Sequence, residues 1–155
     1  MPSDETRLVR HYQQVYSERM QGLPIVNERL RVEAVGFDAF DGHRLGVLIT
    51  PWFMNLVLLP ATDQWKELQQ GDIVDVDLPA ERHQLMICRD EDLGVHLTAI
   101  LFRTVADFPD QQTARDVAVE IMTRLMQIPS SDSPPPARSA ERVSRRDLFT
   151  RLGAR

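Results

Sequence analysis

Two uninterrupted apolar runs, residues 45–49 and 56–59, flank Pro51 and read as strands buried on both faces. Proline has no amide hydrogen and a fixed φ, so a ladder stops or bulges at Pro51, and Thr50 before it is pushed toward extended backbone. The two strands are therefore expected not to run straight through. Between them Trp52, Phe53 and Met54 put three bulky side chains at a corner where at most two can point into one core, so at least one is expected near solvent. Either Trp52 caps the end of the core, or the stretch Thr50-Pro51-Trp52-Phe53-Met54 is a preformed apolar patch for a peptide partner, since aromatic and Met side chains are common anchors of such sites.

The rest of the chain supplies the frame. Leu8, Tyr12, Val15 and Met20 recur at helical spacing, with Arg7, Arg10, Gln13, Gln14 and Glu18 elsewhere. Ser3 is the expected cap of this helix, Asp4 and Glu5 suit its positive end, and Gly22 ahead of Pro24 is the expected stop. A strand is expected over residues 30–37, and Asp41-Gly42 is a turn signal pairing it with residues 43–49. Pro60 stops the strand over 56–59, and Asp63 caps a short helical turn carrying Trp65 and Leu68, ended by Gly71. Val74, Val76 and Leu78 then alternate with Asp75 and Asp77, which predicts a strand with one wet face near a sheet edge. Residues 83–88, apolar on both faces, are expected further in. Residues 95–102 form the last strand, with His96 and Thr98 opposite Val95, Leu97 and Ala99.

Short connections between strands favour an antiparallel meander. Over residues 110–126, Ala114, Val117, Ala118, Ile121, Met122 and Leu125 make a broad helical stripe. The predicted class is α+β: an antiparallel sheet of about six strands flanked by N-terminal and C-terminal helices, both packed on one sheet face. Residues 1–129 are expected to form this single domain. Residues 130–140, rich in Ser and Pro, read as a semi-rigid linker, and residues 141–155 as a basic, disordered tail.

Composition narrows the function. Hydrophobic residues make up 43% of the chain, enough for a packed core. No apolar run reaches the roughly 18 residues that a membrane span needs. The polar, acidic start is unlike a secretory leader, so a cytoplasmic protein without membrane insertion is expected. The net charge of −5 is uneven: residues 137–155 hold six arginines against Glu141 and Asp147, a net +4, which leaves −9 on the body. An acidic body with a basic tail is a poor nucleic-acid binder and a reasonable receptor for a basic peptide. The single cysteine, Cys88, excludes an internal disulfide and any Cys-x-x-Cys motif, and its apolar neighbours mark it as a buried small hydrophobe.

Catalytic chemistry is not supported. His11, His43, His83 and His96 lack metal-ligand spacing; His83 and His96 meeting across a sheet is the one arrangement that would make a metal or small-molecule site. Asp75 and Asp77 have the spacing a solvent-facing strand edge requires, and the run at residues 90–92 lacks the glycine and distal glutamate of a calcium loop. There is no Gly-rich phosphate loop and no serine elbow. No cofactor is implied.

The tail differs in kind. Ser144, Arg145, Arg146, Asp147, Leu148 and Phe149 come close to the pattern of twin-arginine export signals, yet lie near the C-terminal end of the sequence with no apolar segment behind them. Either they start a short arginine-rich helix with Leu148, Phe149 and Leu152 on one edge, or they imitate such a signal.

Residues 49–52, Pro60, Asp63-Gln64-Trp65 and Ser144-Arg145-Arg146-Asp147-Leu148 together resemble the HybE/HupJ family of nickel-iron hydrogenase assembly chaperones. The likeness extends to Leu78-Pro79, Gly94, Leu101-Phe102 and the helix over 110–126. Some relatives carry a rubredoxin segment, which a single cysteine excludes here. The resemblance implies a non-enzymatic chaperone that holds hydrogenase subunit precursors, notably the small subunit with its twin-arginine signal, with the large subunit as a second candidate client, before assembly and export. On that footing Thr50, Pro51, Trp52, Phe53 and Met54 anchor the client, and body carboxylates steer its arginines. Trp65 either extends the patch or belongs to the core. Ser144, Arg145, Arg146, Leu148 and Phe149 are then placed to occupy the empty client site at high effective concentration. The rival classes are a small-molecule or metal-binding domain using His83 and His96, and a structural subunit of a hydrogenase complex.

Overall fold

The computed structural model describes residues 4–91 and 93–127. The Ser3 cap, the linker and the tail motif lie outside them.

The first helix, α1 (Asp4–Val15), continues into a wider π turn, Tyr16–Met20, and the chain reverses at Gly22, whose φ of 85° is the left-handed value expected of a helix stop. Six strands follow: β1 (Glu33–Phe40), β2 (His43–Ile49), β3 (Met54–Leu59), β4 (Ile73–Asp77), β5 (Arg82–Asp90) and β6 (Gly94–Phe102), then α2 (Gln111–Leu125). Asp41 and Gly42 both adopt positive φ, 50° and 83°, which makes the two-residue hairpin that pairs Phe40 with His43.

The first strand starts later than its apolar pattern predicts. Leu30 is committed to a turn, its amide donating to the Asn27 carbonyl at 3.0 Å, while Arg31 is held through its amide to Gln111 Oε1 at 2.9 Å. A β-bulge interrupts the same strand: Val35 pairs with Val47 and Asp38 with Leu45, so Gly36 and Phe37 together oppose Gly46. Gly36, at φ 69°, supplies the conformation the bulge needs.

All ladders are antiparallel, in the order β1-β2-β3-β6-β5-β4. This corrects the simple meander. Two three-stranded meanders join through β3 and β6, because the connection over residues 60–72 carries the chain away from β3 to the far edge. That connection is a series of turns without a helix. It is pinned by Arg89, which donates to the carbonyls of Lys66 at 2.7 Å and Leu68 at 2.6 Å, and by Trp65, whose ring lies 5.0 Å from that of His43. The strand with one wet face, β4, takes an edge as its alternation requires. β5 lies only one place inward, with Leu85 and Ile87 buried and Met86 exposed on the other face.

The two helices take opposite faces of the sheet, not one. Leu45, Val47, Ile49, Leu56, Leu58 and Leu97 share a core with Val117, Ile121 and Leu125 of α2. The alternate positions Leu48, Val57 and Leu59 pack with Leu8, Val9 and Tyr12 of α1. The continuous apolar runs of β2 and β3 have this cause: central strands covered on both sides need no polar alternation. Asp110 caps α2 by accepting from the Thr113 amide at 2.8 Å, and the predicted stripe on α2 is buried throughout.

Candidate functional site

Residues 50–53 form the turn between β2 and β3. The Thr50 amide donates to the Phe53 carbonyl at 2.9 Å, while Thr50 Oγ1 accepts from the amides of Trp52 at 3.2 Å and Phe53 at 3.0 Å. Thr50 and Pro51 are buried, and Pro51 fixes the first corner of the turn without needing a ladder bond. The chain break foreseen at Pro51 is thus a tight hairpin.

The three bulky residues separate by environment. Met54 is 0% exposed and belongs to the core on the α2 side, whereas Trp52 and Phe53 are half-buried. Trp65, at 9% exposure, belongs to that same core beside His43. Met54, Thr50 and Trp65 are thus buried, and of the residues singled out in this region Trp52 and Phe53 retain most of the accessible surface.

Phe53 meets Tyr12 edge-on at 5.7 Å and Trp52 at 5.5 Å, and Trp52 stacks on Tyr16 at 6.3 Å with the ring planes 14° apart. Burial, with Cys88 and Asp90 adding to it, pushes the Tyr12 hydroxyl up to about 12, so it remains neutral and serves as packing. The Tyr16 hydroxyl donates to Glu28 Oε1 at 2.6 Å. Tyr16 opens the π turn.

Beside Trp52 lies an open cleft of about 600 Å³. Pro24 and Ile25 line it together with Trp52, and Glu28, Arg29 and Arg103 supply its charges. Ile25 is 61% exposed and its neighbour Leu23 42%. The loop carrying them is held by Asn27, whose amide donates to the Pro51 carbonyl at 2.7 Å and whose Nδ2 donates to the carbonyls of Val105 at 2.9 Å and Phe108 at 3.0 Å.

Sequence patterning missed Leu23, Ile25, Asn27, Arg29 and Arg103. The available signal was the apolar run over residues 23–26 between a helix stop and the first strand, where no periodicity accounts for it.

The histidine alternative is not assembled. His83 lies on the face of β5 that carries Leu85 and Ile87, while His96 lies on the opposite face of the sheet with Thr98. His83 Nε2 sits 3.2 Å from Glu81, and His96 is 1% exposed with neither ring nitrogen hydrogen-bonded. Among the described residues no group of three or more His, Cys, Asp or Glu is placed to hold a metal ion. Asp75 and Asp77 are exposed on the β4 edge, and Arg82 donates to Asp77 at 2.7 Å. Among the described residues no helix is long and apolar enough to cross a membrane.

A six-stranded antiparallel sheet with one helix on each face is similar to the fold of HybE from Escherichia coli. That solution structure is similar with a TM-score of 0.66 and 17% identity, covering 87% of this chain and 85% of the other. The family pattern described as NiFe-hydrogenase assembly, chaperone, HybE matches residues 3–151, and the chain belongs to that family. It is 41% identical to the hydrogenase expression/formation protein HoxT of Azotobacter vinelandii over 91% of this chain and 90% of that one. It is also 37% identical to the probable rubredoxin HupJ of Rhodobacter capsulatus over 76% of this chain, of whose length the match spans 43%.

Proposed function

We propose that the protein is a non-enzymatic cytoplasmic chaperone that binds hydrogenase subunit precursors, notably the small subunit with its twin-arginine signal and also the large subunit, and holds them until assembly. Leu23 and Ile25 carry this reading. Ile25 stands exposed beside half-buried Trp52, and Leu23 stands exposed two residues earlier on the same loop, which a buried asparagine anchors by hydrogen bonds. Apolar surface kept outside a core in this way is the usual mark of a protein-binding site. Membership of an assembly-chaperone family supplies the class of client. The client-binding set is then Trp52 and Phe53 with Leu23 and Ile25, supported from beneath by Thr50, Pro51 and Met54, while Trp65 stabilises the sheet behind it.

Residues 141–155, joined to the domain through 130–140, carry Ser144, Arg145, Arg146, Leu148 and Phe149 in an order that imitates a twin-arginine signal, and they compete with the client for its site. Affinity capture from cells making a nickel-iron hydrogenase, followed by mass spectrometry, tests the function. Small-subunit precursor with uncleaved signal is the expected catch. Recovery of mature, assembled hydrogenase alone would make the protein a structural subunit instead.

A further inference from the structure

We infer that the cleft beside Trp52 receives a client segment in which a carboxylate side chain adjoins an apolar one, with Arg29 and Arg103 gripping the carboxylate. This rests on the reading of the protein as a precursor-binding chaperone and specifies what its cleft accepts.

The body of the chain is strongly acidic, with −9 outside residues 137–155, yet the charges lining this cleft are two arginines and one glutamate. The glutamate, Glu28, is already engaged by the Tyr16 hydroxyl at 2.6 Å. Several arginines elsewhere find carboxylates: Arg44 meets Glu5 at 2.7 Å, Arg115 meets Glu33 at 3.0 Å and Arg124 meets Glu120 at 2.9 Å. Arg29 and Arg103 are exposed, and among the described residues neither guanidinium has a hydrogen bond or an ion pair. Two exposed guanidinium groups without a partner among the described residues, lining one cleft in an otherwise negative protein, are complementary to an anion, and the planar fork of arginine matches a carboxylate in particular.

The apolar lining decides what the anion is attached to. A free inorganic ion would leave Ile25, Pro24 and Trp52 uncovered, whereas a peptide with a large apolar side chain beside its carboxylate uses both features. The same charges repel a pair of client arginines. An arginine pair is therefore expected outside this cleft, whose occupant is the neighbouring segment that carries the carboxylate and the apolar side chain.

The test uses the full chain and fluorescently labelled, end-blocked peptides that share a Leu-Phe pair and differ only in flanking Glu, Gln or Lys. Fluorescence anisotropy should show the Glu peptide binding about tenfold more tightly than the Gln peptide and the Lys peptide weakest. Arg29→Glu with Arg103→Glu should reverse the order, and Arg29→Gln with Arg103→Gln should abolish the preference while leaving the fold intact. Equal binding of Glu and Gln peptides to the wild-type chain, or preference for Lys, overturns the inference. Capture of hydrogenase precursors separates the two levels. Precursors held equally by wild type and by the Arg29→Glu/Arg103→Glu variant overturn the carboxylate site and leave the chaperone reading standing. A wild-type chain that discriminates the peptides but captures no precursor overturns the chaperone reading and leaves the carboxylate site.

Discussion

The amide of Asn27 donates to the carbonyl of Pro51 at 2.7 Å, joining the loop before β1 to the hairpin between β2 and β3. Every other polar group of Asn27 is also used: Nδ2 on the Val105 and Phe108 carbonyls, Oδ1 on the Arg29 amide at 3.0 Å, and its carbonyl on the Leu30 amide. Asn27→Ala removes three hydrogen bonds of a buried side chain at once, two to carbonyls and one from the Arg29 amide, and should destabilise the chain by about 2–3 kcal/mol. Asn27→Asp should cost more, because a carboxylate would face those same carbonyl oxygens. Urea unfolding gives both values, and a cost below that of an ordinary surface substitution would show that the loop is not held from this point.

Exposed and buried members of the apolar corner should behave in opposite ways. Ile25→Ser removes a side chain that packs little, so stability should stay within about 0.5 kcal/mol while precursor binding weakens about tenfold. Met54→Ala empties a fully buried position and should cost about 2–5 kcal/mol, yet the molecules that remain folded should bind precursor as before. Titration of precursor against each variant, at a protein concentration corrected for the folded fraction, separates the two. Loss of binding in folded Met54→Ala with none in Ile25→Ser would place the contact surface elsewhere.

What could be read from sequence followed where single periods dominate. The stripe of α2, the Asp110 cap and the Asp41-Gly42 hairpin are local patterns, and each lies where its residues require. The α+β class and six antiparallel strands followed from the same reasoning. Strand order did not, because nothing local in residues 60–72 reveals that the connection crosses to the far edge; that depends on Trp65 finding His43 and Arg89 finding two carbonyls. Packing both helices on one face leaves the two-sided apolar runs of β2 and β3 half covered; their burial on both sides requires one helix on each face, as α1 and α2 provide. The aromatic corner was legible in part. Trp52 and Phe53 stand out by size, but Ile25, Asn27 and Arg103 are brought to one cleft with Trp52 only by long-range contacts such as those of Asn27 with Val105 and Phe108.

Gly46 is fixed by the bulge opposite it. A Cβ at this position would lie 2.3 Å from Phe37 Cδ1, since the bulged strand lays the Phe37 ring across the glycine. Gly46→Ala must displace that ring from the α1-side core and should destabilise by about 1–3 kcal/mol. In a Phe37→Ala background the same change should cost much less, a coupling above about 0.5 kcal/mol in a double-mutant cycle. Additive effects would mean that the strain lies in the backbone and not in the ring.

His96 should make the fold acid-sensitive. Burial holds its imidazole below the ordinary histidine range; the Asp90 carboxylate and the nearby backbone of Gly94, which is outside hydrogen-bonding geometry, work against this, and His11 works with it. The folded state therefore favours the neutral ring. Above the unfolded value of about 6.5 both states are neutral and stability is at its full level. As pH falls below that value the unfolded chain takes up a proton that the folded chain resists, so stability declines until the depressed folded value is passed and then levels off. His96→Leu removes two unsatisfied buried nitrogens together with the titration, so it should be at least as stable at neutral pH and should lose this part of the acid slope. Urea midpoints measured from pH 8 down to pH 4.5 compare the two chains directly. Parallel curves for wild type and His96→Leu would assign the acid sensitivity to the carboxylates instead.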